Sequence, residues 1–212
     1  KLSAADVDLA WLLGMLHDVG RFEQLRRYGT FIDVESVDHA ALGADILFGE
    51  GHMIRTYISG DTEDAVIETA IRVHSAYRIP ESMTERTATL CHILRDADKI
   101  DILRVNVDVP LEEIYNVTTY ELKHCQVTQE VMQAFYEEHA VLRSLKKTPV
   151  DNVVGHISLV YELVYPISCK LVSEQGYLDQ LMNFQSELPQ TNAQFAKIRE
   201  KMAAYMERKI DE

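Results

Sequence analysis

The sequence predicts an all-α fold, and three observations carry that reading. Apolar residues recur at helical spacing along most of the 212 residues, the two-residue alternation of half-buried strands is almost absent, and the periodic runs are punctuated by residues that cap or stop helices. An apolar content of 47% can fill a core, and the length suits one large domain or two small ones.

The first helical run covers residues 4 to 19. From Leu9 to Leu16 it is apolar on nearly every side, which places it inside the fold with Trp11 and Met15 as packing residues, and Gly20 supplies its stop. Ser36 can cap a helix from about Val37 to Phe48, where Ala40, Ala41, Gly43 and Ala44 permit close packing. Another helix runs from about Thr62 to Tyr77 and ends before Pro80; Thr84 can then cap a long helix to about Val105, closed by Pro110 downstream. The stretch from Asp108 to Gln126 is the least periodic and reads as a loop or a change of sub-structure. Beyond it lie Thr128 to Leu145, Asp151 to Tyr165 broken by Pro166, Ile167 to Gln175 before Gly176, and Asn192 to Arg208. No internal repeat or low-complexity tract interrupts this order. Two packed helical halves follow, residues 1–110 and 111–212.

Composition narrows the function classes. A net charge of −13 disfavours a nucleic-acid polymer as partner, since phosphate backbones are held by clustered Lys and Arg, and any phosphate-bearing ligand needs a local cation. Cys91, Cys125 and Cys169 are odd in number and form no CxxC, which argues against a disulfide framework and a thiolate zinc site and fits a reducing cytoplasm. No stretch approaches the roughly 18 uninterrupted apolar residues of a membrane span, and no secretory signal opens the chain, so a membrane partner is not expected. Lys1 in place of an initiating Met points to a trimmed piece of a longer chain.

The chemistry concentrates in a few polar residues on inward faces. "WLLGMLHDVGRF" ends its apolar run in His17 and Asp18; a buried carboxylate is costly unless hydrogen-bonded, ion-paired or bound to a cation. His74 falls on the stripe Ile67, Ala70, Ile71, His74. In "LCHILRDADKIDILR" the stripe Cys91, Leu94, Asp98, Ile102 puts Asp98 on a buried side, whereas Asp96 shares a polar face with His92 and Lys99. His39 lies in the first turn of its helix beside Asp38. Three His with two Asp can hold one or two divalent ions and leave positions open for water. His52, His92, His124, His139 and His156 lack a comparable inward carboxylate and read as surface or ordinary core residues.

"LLGMLHDVGRFEQ", "DHAALGADIL", "AIRVHS" and "LRDADKIDILR", in that order, resemble the HD superfamily of metal-dependent phosphohydrolases. The resemblance covers about Leu2 to Arg104, and the tail from about Tyr120, with "KTPVDN" and "SEQGYLDQL", is similar to that of bacterial members. It implies an HD-domain helical bundle with additional C-terminal helices. The doublet His17 and Asp18 and the closing Asp98 are then metal ligands; His39 and His74 match the extra histidines of two-metal members, in which Asp18 bridges the ions. One departure stands at the front: the family pattern has a further His on a helix well ahead of the doublet, and only 16 residues precede it here.

The expected function is hydrolysis of a phosphoester in a small phosphorylated molecule, a nucleotide first among them. Its cofactor is one or two divalent ions of Mn, Mg, Fe, Co, Ni or Zn, and Arg21 and Lys99 can reach the substrate phosphate. Two other readings stay open: a metal- or nucleotide-binding regulatory module that keeps the metal, or only the fold, without turnover, and a di-iron oxygenase. A homodimer is compatible with the sequence.

Overall fold

In a computed structural model, which describes residues 2–211, 70% of the chain is helical and no strand occurs among the described residues. The chain divides into two units, residues 1–98 and 99–212. The division falls inside a long helix, α5, rather than near residue 110.

The first unit opens with α1 (Ala4–Leu16), whose N-terminus is capped by the Ser3 hydroxyl accepting from the Asp6 amide at 3.1 Å. Only one stripe of α1, Leu9, Leu13 and Leu16, is buried; Trp11 is 69% exposed and Met15 64%, so neither is the packing residue the sequence suggests. An apolar residue is free to face water, and α1 spends its buried stripe on one side alone.

The helix also breaks earlier than the sequence indicates. His17 and Asp18 form a turn, and a second helix, α2 (Val19–Tyr28), starts at once. Gly20 therefore stops nothing. It sits in the first turn of α2, where a Cβ would collide with the His39 carbonyl, so its bare Cα lets α2 pass close to α3 (His39–Phe48). The actual stop is Gly29, left-handed at φ 68°.

Asp38, not Ser36, caps α3, its carboxylate accepting from the amides of Ala40 (2.9 Å) and Ala41 (3.1 Å). The Ser36 hydroxyl instead donates to the Ile32 carbonyl, closing a 3-10 turn at Asp33–Glu35. Helix α4 (Asp64–Val73) delivers His74 at its C-terminal cap, and α5 (Glu85–Asp108) begins with the Thr84 hydroxyl accepting from the Thr87 amide. Leu13, Leu47, Ile54, Ile67, Ile71 and Leu90 fill the core of this unit.

In the second unit the aperiodic stretch folds into two short helices, α6 (Leu111–Tyr115) and α7 (Thr119–Lys123), the latter held by a Thr118–Glu121 capping box. Helix α8 (Gln129–Tyr136) stops well short of Leu145, because Glu138 turns left-handed at φ 61° and its carboxylate takes Lys201 and Arg208, each at 2.6 Å. Helix α9 (Pro149–Ile157), with a Thr148–Asp151 capping box, runs into a 3-10 segment at Ser158–Glu162. Then come α10 (Pro166–Gln175), the unforeseen α11 (Tyr177–Met182) and α12 (Pro189–Ile210). Phe135, Val150, Ile157, Phe195, Ile198 and Met202 form the core here.

Candidate metal centre

The turn after α1, the start of α3, the end of α4 and the middle of α5 bring His17, Asp18, His39, His74 and Asp98 together in the first unit. The Nε2 atoms of His39 and His74 lie 3.0 Å apart. Asp18 Oδ1 is 3.4 Å from His39 Nε2 and 3.7 Å from His74 Nε2, its Oδ2 is 3.6 Å from His17 Nε2, and Asp98 Oδ1 is 3.6 Å from that same nitrogen. His39 and His74 are buried, while Asp18 is the most open of the set.

Hydrogen bonds on the far side of each ring fix what these nitrogens offer. His17 Nδ1 donates to the Gly14 carbonyl at 2.8 Å and His74 Nδ1 to the Ile71 carbonyl at 2.7 Å; a carbonyl can only accept, so each Nδ1 carries a proton, and in the neutral ring Nε2 presents the lone pair. His39 Nδ1 donates likewise to Asp33 at 2.8 Å. With both rings neutral and protonated at Nδ1, two lone pairs face each other at 3.0 Å with carboxylate oxygens behind them, an arrangement that a proton or a bound cation among them relieves. Donors about 2.1 Å from one cation are separated by about 3.0 Å in octahedral and about 3.4 Å in tetrahedral arrangement. The 3.0 and 3.4 Å separations match these values and those of 3.6 and 3.7 Å lie slightly above them, so the donor set fits a divalent ion.

Residues 1–103 match the HD domain family. This part of the chain belongs to the HD superfamily. No curated protein and no solved structure matched the chain. HD domains form a superfamily of metal-dependent phosphohydrolases, and the His/Asp groups of this one, His17 with Asp18 and His74, and His39 with Asp33 and Asp38, are candidate sites for the metal.

Within the HD domain, neighbouring charges tune the cluster. Burial opposes a charge on His17, but Asp98 and Asp18 outweigh it and raise its pKa to about 8. Burial also works against ionised Asp18; His74, His17, Arg21 and His39 prevail and hold it at about 2. Asp33, drawn down to about 2 against burial by His39, Gln24 and Arg21, remains an acceptor for His39 Nδ1–H.

Arg21 is anchored rather than free: one of its nitrogens donates to Gln24 Oε1 (2.9 Å), the Phe31 carbonyl (2.8 Å) and Asp33 Oδ1 (2.8 Å). It still lines a cavity of about 410 Å³ together with Asp18, Phe22, Leu25 and Phe31. Lys99 is buried and is the first residue of the second unit. Asp96 is a correction. It is only 2% exposed, not on a polar face, because α5 buries Arg95, Asp96 and Lys99 as well as Cys91 and Leu94; Asp98, on the expected inward stripe, has a side chain 20% exposed beside His17.

Three supporting residues were not foreseen. Asp33 orients His39, and the fully buried Gln24 fixes Asp33 at 2.9 Å while also donating to Ser36 and the Val37 carbonyl. Arg95 donates to the carbonyls of Val73, His74 and Ala76, and so satisfies the frayed end of α4 that presents His74. Nothing in the periodicity of the 33–36 segment marks Asp33. Arg95 had a visible signal, a cation adjoining an apolar stripe.

Proposed function

We propose that the HD domain hydrolyses a phosphoester in a small phosphorylated metabolite, a nucleotide being the first choice. The observation that carries this reading is the convergence of three imidazole lone pairs and two carboxylates beside a cavity with one cationic and three apolar linings. His17, Asp18, His39, His74 and Asp98 would hold the metal. A divalent ion supplies Lewis acidity there, lowering the pKa of a water and neutralising charge on phosphoryl oxygens.

The chain's own groups do the rest. Asp33 and the Gly14 and Ile71 carbonyls keep the three rings in the tautomer that presents Nε2. Arg21, immobilised by three acceptors, offers a fixed positive charge at the cavity wall for a phosphate. Phe22 and Phe31, both exposed, provide flat apolar faces for the organic part of the substrate, which favours a base over an open-chain sugar.

The test is a screen of phosphorylated metabolites with Mn, Mg, Co and Ni. The expected outcome is metal-dependent phosphate release, largest for nucleotides, lost in Asp18→Asn and reduced in Arg21→Gln. Metal-loaded protein that binds nucleotides yet turns over none of the metabolites would replace this reading with that of a binding module.

A further inference from the structure

A second polar cluster lies wholly inside the second unit and plays no part in the proposed hydrolysis. His156 on α9 donates from Nδ1 to Asn106 Oδ1 at 2.7 Å, and the Tyr115 hydroxyl donates to the same oxygen at 2.8 Å. Asn106 is oriented by its own amide, which donates to the Ile102 carbonyl, so Oδ1 must be the acceptor and the His156 proton sits on Nδ1. The ring's Nε2 is left outside this network.

One cation lies against Gly155, the residue before His156, and a second is on the same turn as the first. The Lys146 side chain lies along α9 against Gly155, where a Cβ would run into its terminal atoms; the absence of a side chain there is what allows the ammonium to lie inward. Arg143 opens the 3-10 turn Arg143–Leu145, and its carbonyl accepts from the Lys146 amide at 3.1 Å, so the two cations sit on one turn; its charge acts on both Lys146 and His156.

Among the described residues, no ion pair involves Lys146 or Arg143, although the adjacent Lys147 takes Glu130 at 2.5 Å and Lys201 and Arg208 share Glu138. The one carboxylate near enough to favour the Lys146 charge, Asp151, is committed to capping: it accepts from the amides of Thr128, Lys147 and Thr148. In a chain of net charge −13, Lys146 held inward beside the exposed Arg143, neither with a paired carboxylate, leaves local positive charge in excess.

We infer that Lys146, Arg143 and His156 form an oxyanion site in the second unit that takes a phosphoryl group. An arriving phosphate would neutralise the pair of cations and could accept from the Lys146 ammonium and the Arg143 guanidinium. The same event removes one part of what holds His156 uncharged, the two cations, while its burial stays. Burial, Lys146 and Arg143 together push its pKa down to about 3, so neutralising the cations moves it back toward its ordinary value. Tyr115 and Asn106 keep the ring in place.

The experiment uses the full chain with metal chelated and follows acetylation of single lysines by peptide mass spectrometry at constant ionic strength. Inorganic phosphate and AMP are each compared with chloride. Lys146 should be protected several-fold by phosphate, by AMP or by both, and the stronger of the two identifies free or esterified phosphate as the source; Lys147 should be unaffected. Equal rates for Lys146 in all three media, or protection shared by Lys147, would overturn the site. A second measurement does not depend on acetylation: phosphate should raise the Tm of the wild-type chain and not that of a Lys146→Met, Arg143→Gln variant. An equal rise in both would refute the inference.

Discussion

His17 and His156 are the same side chain in opposite company. His17 faces Asp18 and Asp98, and their pull overcomes burial to raise its pKa to about 8. For His156 burial acts first and Lys146 and Arg143 act in the same direction, so the value falls to about 3. The cluster in the first unit gathers lone pairs and carboxylates and calls for a cation; the one in the second gathers positive charge and calls for an anion. Histidine is informative only with its neighbours, and a ring's non-contacting nitrogen is defined by what its other nitrogen bonds.

The comparison can be broken most forcefully at Asp18, whose oxygens face all three imidazoles of the first cluster. Asp18→Asn should lower affinity for a divalent ion by orders of magnitude, measured by calorimetry, and should leave phosphate protection of Lys146 unchanged. Retained metal affinity would mean that the first cluster is only an ion-pair network.

A step smaller, Asp33→Asn keeps the shape but weakens the hold on His39, and metal affinity should fall by about 10–100-fold. Asp96→Asn sharpens a different point. With Asp96 buried, the substitution should cost about 1–3 kcal/mol in denaturant unfolding, where a surface carboxylate would cost almost nothing.

The second cluster predicts an acid limb. The folded value of His156 lies below its unfolded value of 6.5, so the unfolded chain binds the extra proton as pH falls from about 6.5 to about 3, and stability falls with it. His156→Gln should flatten that limb, as read from Tm against pH; an unchanged slope would place the titrating group elsewhere. The smallest effect belongs to Trp11, whose exposed ring makes Trp11→Ser neutral within about ±0.5 kcal/mol.

These positions also show what the sequence made legible. Helical class, the long α5 and the residues that converge in the first unit follow from periodicity and from an ordered set of motifs, because core-facing stripes repeat at fixed spacing. The stripe argument put Asp98 on a buried side and Asp96 on a polar face, whereas α5 buries Asp96 and leaves Asp98 partly exposed beside His17, since a helix buried over more than one face carries polar residues inward too. Trp11 and Met15 misled for the converse reason: apolar character does not say which side of a helix meets a neighbour. Gly20 looked like a stop and is a contact, a distinction that depends on the His39 carbonyl, 19 residues onward. His156 read as ordinary because its partners Asn106, Tyr115 and Lys146 come from separate segments that only folding brings together.

The central claim is that His17, Asp18, His39, His74 and Asp98 form one cation site. Its most direct test is a titration of chelator-stripped protein with Mn(II), followed by electron paramagnetic resonance, for the wild-type chain and for Asp98→Asn and His74→Gln. The account predicts tight uptake by the wild type and affinity lower by orders of magnitude in both variants. Failure of the wild type to bind the ion, or variants that bind within a few-fold of it, would contradict the claim.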